Sequence, residues 1–373
     1  MIDATSVKNV AAISTMIRCK LKQFFQKYFL EGQKYSYEET TIIKENQGSI
    51  DELLMKYRKL FDKYVMTIVM IFGALIGGMT TEGGGAIAFP IMTLALDISP
   101  VVARDFSFMI QSCGLTAASF TIFFTGILIE WHSIIFSTIG AIFGVIIGLE
   151  IVDPLLSPAE KKMTFVSVFF SFAIALFILN SEKKRKTFNK IDQFTLSKAL
   201  ILIINGFIGG IFTGIAGSGI DVYSFSILTL LFRISEKVAT PTSVVLMAAN
   251  SMVGFFWRQF MQNEIQQESW EYFSVCLPVV VIFAPVGSFL ASYLHRLTLA
   301  SFIYILETIA LIGSLIIIKP NWRLLMFTMV LISGSLIFYM TIARYGQKLM
   351  LQKIKASELK EKINNENAIA SII

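Results

Sequence analysis

The sequence predicts an all-α polytopic membrane protein, and three observations carry that reading. Of its 373 residues, 55% are hydrophobic and only 16% are charged, against about 25% charged in soluble domains. Between residues 64 and 343 apolar runs follow one another at close to the ~20 residues a helix needs to cross a bilayer. The order of features in the first half of the chain also recurs in the second. The expected architecture is two inverted repeats, each beginning with a glycine-broken helix pair, plus one extra C-terminal transmembrane helix.

Composition excludes several classes. The net charge of +6 sits in loops and tails, where the flanks of membrane spans carry it, so no nucleic-acid partner is expected. Cys19, Cys113 and Cys276 are scattered and give neither a disulfide framework nor metal spacing. His132 and His295 close apolar runs as interfacial side chains. No metal, cofactor or catalytic group is expected.

Taken in order, residues 1–63 form an N-terminal tail without the plan of a cleaved signal peptide. Within it, Val10–Leu30 interleaves lysines with Phe24, Phe25, Tyr28 and Phe29, a pattern suited to an amphipathic surface helix. Residues 64–179 form the first repeat, with apolar segments at 64–80, 84–97, 103–125, 132–151 and 163–179. A basic linker covers 180–197, including Lys183, Lys184, Arg185 and Lys186. The second repeat, 198–318, reads 198–216, 219–233, 238–257, 271–294 and 298–318. An additional helix at 319–343 and a basic tail at 344–373 close the chain. The linker and the C-terminal tail favour a cytoplasmic placement, while Lys56, Arg58, Lys59 and Lys63 pull the N-terminal tail to the same side.

The break in the first repeat is Gly77-Gly78-Met79-Thr80-Thr81-Glu82-Gly83-Gly84-Gly85. Three glycines in a row are poor helix formers and expose backbone that lipid cannot satisfy. The expectation is two half-helices meeting at an irregular tip inside the membrane, shielded by protein or lining a cavity. Its partner is Gly209-Gly210-Ile211-Phe212-Thr213-Gly214-Ile215-Ala216-Gly217-Ser218-Gly219. Each break is followed by an Ala-x-x-x-Ser segment, Ala103 to Ser107 and Ala239 to Ser243, and then by a Trp-led span. Trp131 to Gly148 and Trp270 to Gly287 are both seventeen residues apart. An internal duplication explains these matched offsets, and an odd number of crossings per copy would invert the second.

With these motifs the chain resembles the sulfite exporter TauE/SafE family over residues 64–318. The motifs that carry the resemblance are Thr81-Glu82-Gly83-Gly84-Gly85 closing on Phe89-Pro90, and Ala216-Gly217-Ser218-Gly219. The resemblance implies a secondary transporter of sulfur-containing anions such as sulfite or organosulfonates. Two residues depart from the family pattern: Glu82 before the glycine triplet and Asp221 after the second break, both where apolar or small residues are usual. A carboxylate beside an anion site repels the substrate unless it is protonated or paired.

The residues themselves point to anion binding. Helix N-termini carry free N–H groups and partial positive charge, and glycine lets a small oxyanion approach the backbone. The substrate-binding candidates are Thr81, Gly83, Gly84, Gly85, Ser107, Gln111, Gly217, Ser218, Gly219, Ser243 and Asn250, with Thr80 and Thr213 as further hydroxyl donors. Glu82, Asp221 and Glu307 are proton-coupling candidates, because a carboxyl at membrane depth is costly and tends to have a function. Arg104, Arg233, Arg258, Arg296 and Arg323 fall at segment ends and read as interfacial anchors. Gly140, Gly144 and Gly148 form a flat packing face.

The function expected is alternating-access transport of a small anion across a lipid bilayer, with proton coupling. A homo-oligomer is compatible with this reading. The competing readings are transport of another small anion or a carboxylate, a passive channel, and an intramembrane protease built on Ser218 and Asp221.

Overall fold

The computed structural model describes residues 44–80, 84–181, 187–192, 194–291, 293 and 296–370. The amphipathic pattern at Val10–Leu30 therefore lies outside the described residues, as do Thr81, Glu82, Gly83 and His295. Among the described residues the chain is helical, and eight of its helices are long and apolar enough to cross a membrane. Large apolar side chains such as Phe124, Leu155, Leu196 and Trp322 point outward, as a lipid-facing surface requires.

The half of the chain expected to form the first repeat contains α1 (Lys44–Met79), α2 (Gly85–Pro90, continued by a π turn at Ile91–Ala95), α3 (Pro100–Phe124), α4 (Trp131–Ile147, continued to Leu155) and α5 (Pro158–Ser181). The half expected to form the second contains α6 (Leu196–Ala216), α7 (Ile220–Ser226, with a π turn at Ile227–Leu231), α8 (Glu236–Phe256, continued to Gln262), α9 (Gln267–Ala291) and α10 (Arg296–Ile318). A long α11 (Trp322–Ala370) follows.

Local chemistry sets several of these boundaries. The Val102 amide donates to Ser99 Oγ at 3.3 Å and Pro100 occupies the first turn of α3, where a missing N–H costs nothing. Before α5, the Ser157 amide donates to Glu160 Oε2 at 2.8 Å and the Glu160 amide to Ser157 Oγ at 3.4 Å, a reciprocal capping box.

The two halves of the chain carry similar backbone turns. After the first π turn, Leu96 and Ile98 amides donate to Ile91 and Met92 carbonyls at 3.0 and 2.8 Å. After the second, Phe232 and Ile234 donate to Ile227 and Leu228 at 3.1 and 2.9 Å. Asp97 and Arg233, 136 residues apart, both turn left-handed, with φ of 59° and 56°. Their neighbours Ser99 and Ser235 sit at the same N-cap geometry, with φ/ψ of −61°/142° and −64°/143°.

Close packing swaps partners between the repeats. Gly140, Gly144 and Gly148 of α4 press on the backbone of Ile203, Phe207 and Ile211 in α6, so these helices run side by side in one direction. The glycine face thus packs as expected. Lipid tails are as apolar as side chains, so helices here associate through close contact rather than hydrophobic transfer. The equivalent seam joins α1 to α9: Gly78 meets Ala284 and Ser288, and Lys63 reaches Glu271 at 3.0 Å toward the other end. By contrast α3 and α8 run in opposite directions, since Asp105 near the start of α3 bonds Arg258 near the end of α8.

Three expectations are revised. The helix before each tip is a full span, Tyr57–Met79 and Leu196–Ala216, and only the segment after each tip is a half-helix. The charged residues at 56–63 continue α1 because helical hydrogen bonding does not stop where apolar sequence does. Likewise the basic tail is helical to Ala370 as part of α11.

Candidate functional site

The second tip is built by Gly217. It ends α6 in the left-handed region at φ 79°, with its amide donating to the Thr213 carbonyl at 2.7 Å. A Cβ at Gly217 would stand 2.7 Å from Ser107 Cβ and 2.9 Å from the Arg104 carbonyl oxygen. Glycine is therefore required twice over, by conformation and by space. The Gly217 carbonyl in turn accepts from Gln111 Nε2 at 2.8 Å.

The start of α7 is satisfied from within. The Ile220 amide donates to Thr213 Oγ1 at 3.0 Å, the Val222 amide to Asp221 Oδ1 at 2.9 Å and the Tyr223 amide to the Gly219 carbonyl at 3.1 Å. Ser218 Oγ donates to Asp221 Oδ2 at 2.8 Å. Asp221 thus serves the N-terminus of its own half-helix, where a carboxylate is favourable. This local use explains an acidic residue that the anion-site reading left awkward.

The first tip converges on the same place. A Cβ on Gly85 would lie 2.4 Å from Gln111 Nε2 and 3.3 Å from Ser107 Cβ. No side chain caps Gly84 among the described residues. Ser107 and Gln111, on one face of α3 a turn apart, are buried between the two glycine tips. Ser107 Oγ donates to the Ala103 carbonyl at 2.8 Å, while Gln111 Oε1 has no partner among the described residues.

A family model described as Sulfite exporter TauE/SafE matches residues 66–316. The chain belongs to the sulfite exporter TauE/SafE family. No curated protein and no solved structure matches it significantly. At family level it is a multi-pass integral membrane transporter of sulfur anions rather than an enzyme, with a small anion and the lipid bilayer as its partners. The match takes in both tips and α3 and leaves out α11 and both ends of the chain.

Within this TauE/SafE core the remaining candidates divide. Ser243 and Asn250 lie on α8, which packs against α3 and α7. Both are buried, and Ser243 Oγ and both amide atoms of Asn250 lack a partner among the described residues. Buried polar atoms are almost always satisfied, so such atoms mark places where water or a ligand serves. Asn205 of α6 and Ser224 of α7 share that condition and were not singled out by the sequence, because a lone Asn or Ser in an apolar run carries no pattern. Glu307 is fully buried on α10, which packs on α5 and touches the π turn at 91–95.

Sequence reasoning also missed a buried ion-pair chain at one end of the bundle. Lys161 Nζ bonds Asp153 Oδ1 at 2.7 Å, and Asp153 Oδ2 holds Arg104 Nη1 at 2.7 Å. Arg104 Nη2 and Arg258 Nη2 grip the two oxygens of Asp105 at 3.0 and 2.9 Å, and Arg258 Nη1 reaches Glu264 at 2.7 Å. Arg104, Arg233 and Arg258 are buried rather than spread on the interface. For Arg104 and Arg258 the reason is Asp105, which supplies an opposite charge inside the protein. The arginines read as helix-end anchors because Asp105 lay unremarked beside them. His132 likewise pairs with Glu130 at 2.7 Å.

Proposed function

We propose that this protein is a secondary active transporter that moves a small sulfur-containing anion, such as sulfite or an organosulfonate, by alternating access between two inverted repeats. The observation that carries the reading is the convergence of both glycine tips on Ser107 and Gln111, beside a helix holding the unpartnered hydroxyl of Ser243 and amide of Asn250. An oxyanion needs donors and close backbone approach, and these residues offer both without a fixed cation. Thr81 and Gly83, next in sequence to Gly84 and Gly85, are further substrate-binding candidates in this reading. Gly217, Ser218 and Gly219 shape the opposing wall.

Inversion is supported by the opposite courses of α3 and α8 and by the exchange of seams, α4 on α6 and α9 on α1. Proton coupling is assigned to Glu82, the carboxyl of the first tip. A carboxyl held away from water favours its protonated form and can load and release one proton per cycle. Asp221, bound to its own helix terminus, is a weaker candidate for that role, and Glu307, fully buried on α10, is a further one.

The test is a flux panel in proteoliposomes with an imposed pH gradient, offering sulfite, sulfate, thiosulfate, sulfoacetate and small carboxylates. Saturable flux of one or more sulfur anions, absent in Gln111→Ala, supports the reading. Flux of carboxylates alone moves the protein to the carboxylate alternative, and non-saturable flux of all of them to a channel.

A further inference from the structure

The ion-pair chain and a large opening among the described residues occupy equivalent positions in the two halves of the chain. A cavity of about 770 Å³ opens between the end of α3 (Ile122), the start of α8 (Val238, Thr240, Pro241), the end of α1 (Gly78, Met79) and the end of α9 (Ser288, Ala291). It reaches the first tip, since Met79 ends the helix that leads into it. The duplication offset of 136 residues set by Asp97 and Arg233 carries Arg104 onto Thr240, Asp105 onto Pro241 and Ile122 onto Arg258. Thr240, Pro241 and Ile122 all line the cavity, and Arg104, Asp105 and Arg258 are the centre of the ion-pair chain.

From this we infer that the Arg104–Asp105–Arg258 cluster is the closed gate of the transport path and that the 770 Å³ cavity is its open mouth. The closed end has two layers. The charges draw in four elements: Asp153 at the end of α4, Lys161 on α5, Asp105 on α3 and Arg258 on α8. Beneath them Phe108 packs with Val145, Leu149, Phe255 and Trp257, and Gly254 admits the Phe108 ring so closely that a Cβ there would stand 2.4 Å from it. The open end has no charged counterpart at the three equivalent positions, so the two gates close by different chemistry. Asp105 is the keystone, because it alone bonds both arginines. Removing one partner of a buried pair leaves the rest uncompensated, so its loss should release this end. Glu264, with its side chain 66% exposed, is a peripheral member whose loss should matter less.

This inference rests on the transporter reading but not on the identity of the substrate, and thiol labelling tests it without one. Cys19, Cys113 and Cys276 are replaced by serine, and single reporters Thr240→Cys and Leu149→Cys are introduced. Purified protein in detergent is exposed to a charged maleimide, which reaches both ends. In the otherwise native background the T240C thiol labels readily and the L149C thiol is protected. Asp105→Asn raises L149C labelling about tenfold or more and slows T240C labelling, because one gate opens as the other closes. Glu264→Gln shifts both rates in the same directions by less, and carries the test if Asp105→Asn does not fold. Unchanged rates in both variants would overturn the inference. So would a rise at both reporters together, which signals loosening rather than exchange. If labelling behaves as expected but no sulfur anion is carried, the substrate reading fails and the gate stands.

Discussion

The two half-helices share a backbone plan and differ in what their N-termini do. At the second tip every early amide of α7 that matters has a partner inside the protein: Thr213 for Ile220, Asp221 for Val222 and the Gly219 carbonyl for Tyr223. That half-helix and its π turn are buried from end to end. At the first tip the Ala88 amide donates to the Gly84 carbonyl at 3.0 Å, as Tyr223 does to Gly219, while Gly85 leaves its space to the Gln111 amide. The two tips thus share backbone geometry, and in our proposal the second tip serves as scaffold while the first tip with α3 serves the anion.

The sharpest way to break this contrast is to exchange stress between the tips. Gly217→Ala places a left-handed φ and a rigid backbone clash in the scaffold, where the conformation alone costs about 1–2 kcal/mol. A marked fall in thermal midpoint is expected. Gly84→Ala, at φ −65° with the mobile Met70 methyl at 3.4 Å and the Gly73 carbonyl oxygen at an ordinary 3.6 Å, should melt close to the native protein. Equal losses at both positions would erase the distinction.

Next come Gly85→Ala and Gln111→Ala, which should abolish flux while leaving the fold intact, since the atom met at Gly85 is the end of a flexible side chain. Size-exclusion profiles and transport assays on the same preparations separate the two outcomes. Glu82→Gln should leave downhill flux in place and remove its dependence on an imposed pH gradient. Retained proton-driven uptake in that variant rejects the coupling role. Asp221→Asn keeps one acceptor and should cost about 1 kcal/mol of stability, the usual scale of a helix cap, with pH dependence unchanged. The smallest effect is expected for Ser243→Ala, a modest rise in KM at unaltered thermal stability.

Much of this architecture was legible in the sequence. The all-α membrane fold and the TauE/SafE family could be read because apolar runs, glycine runs and fixed offsets survive as pattern. What could not be read depends on partners distant in the chain. Asp105 meets Arg258 across 153 residues, and no local pattern announces that meeting, so the arginines passed for interfacial anchors. The partners of Asp221, the Ser218 hydroxyl and the Val222 amide, likewise meet it only once the tip is folded. Helix ends were misjudged where hydropathy stopped before hydrogen bonding did, at Lys44–Met79 and in α11. Asn205 and Ser224 carried no signal except their burial.

The central claim is that one buried site alternates between two sides, and counterflow measures it directly. Proteoliposomes loaded with unlabelled sulfite are diluted into a trace of radiolabelled sulfite, with no pH gradient. The account predicts transient accumulation of label above equilibrium in the native protein and none in Gln111→Ala. Label that equilibrates at the same rate with or without internal sulfite, without overshoot, would contradict it.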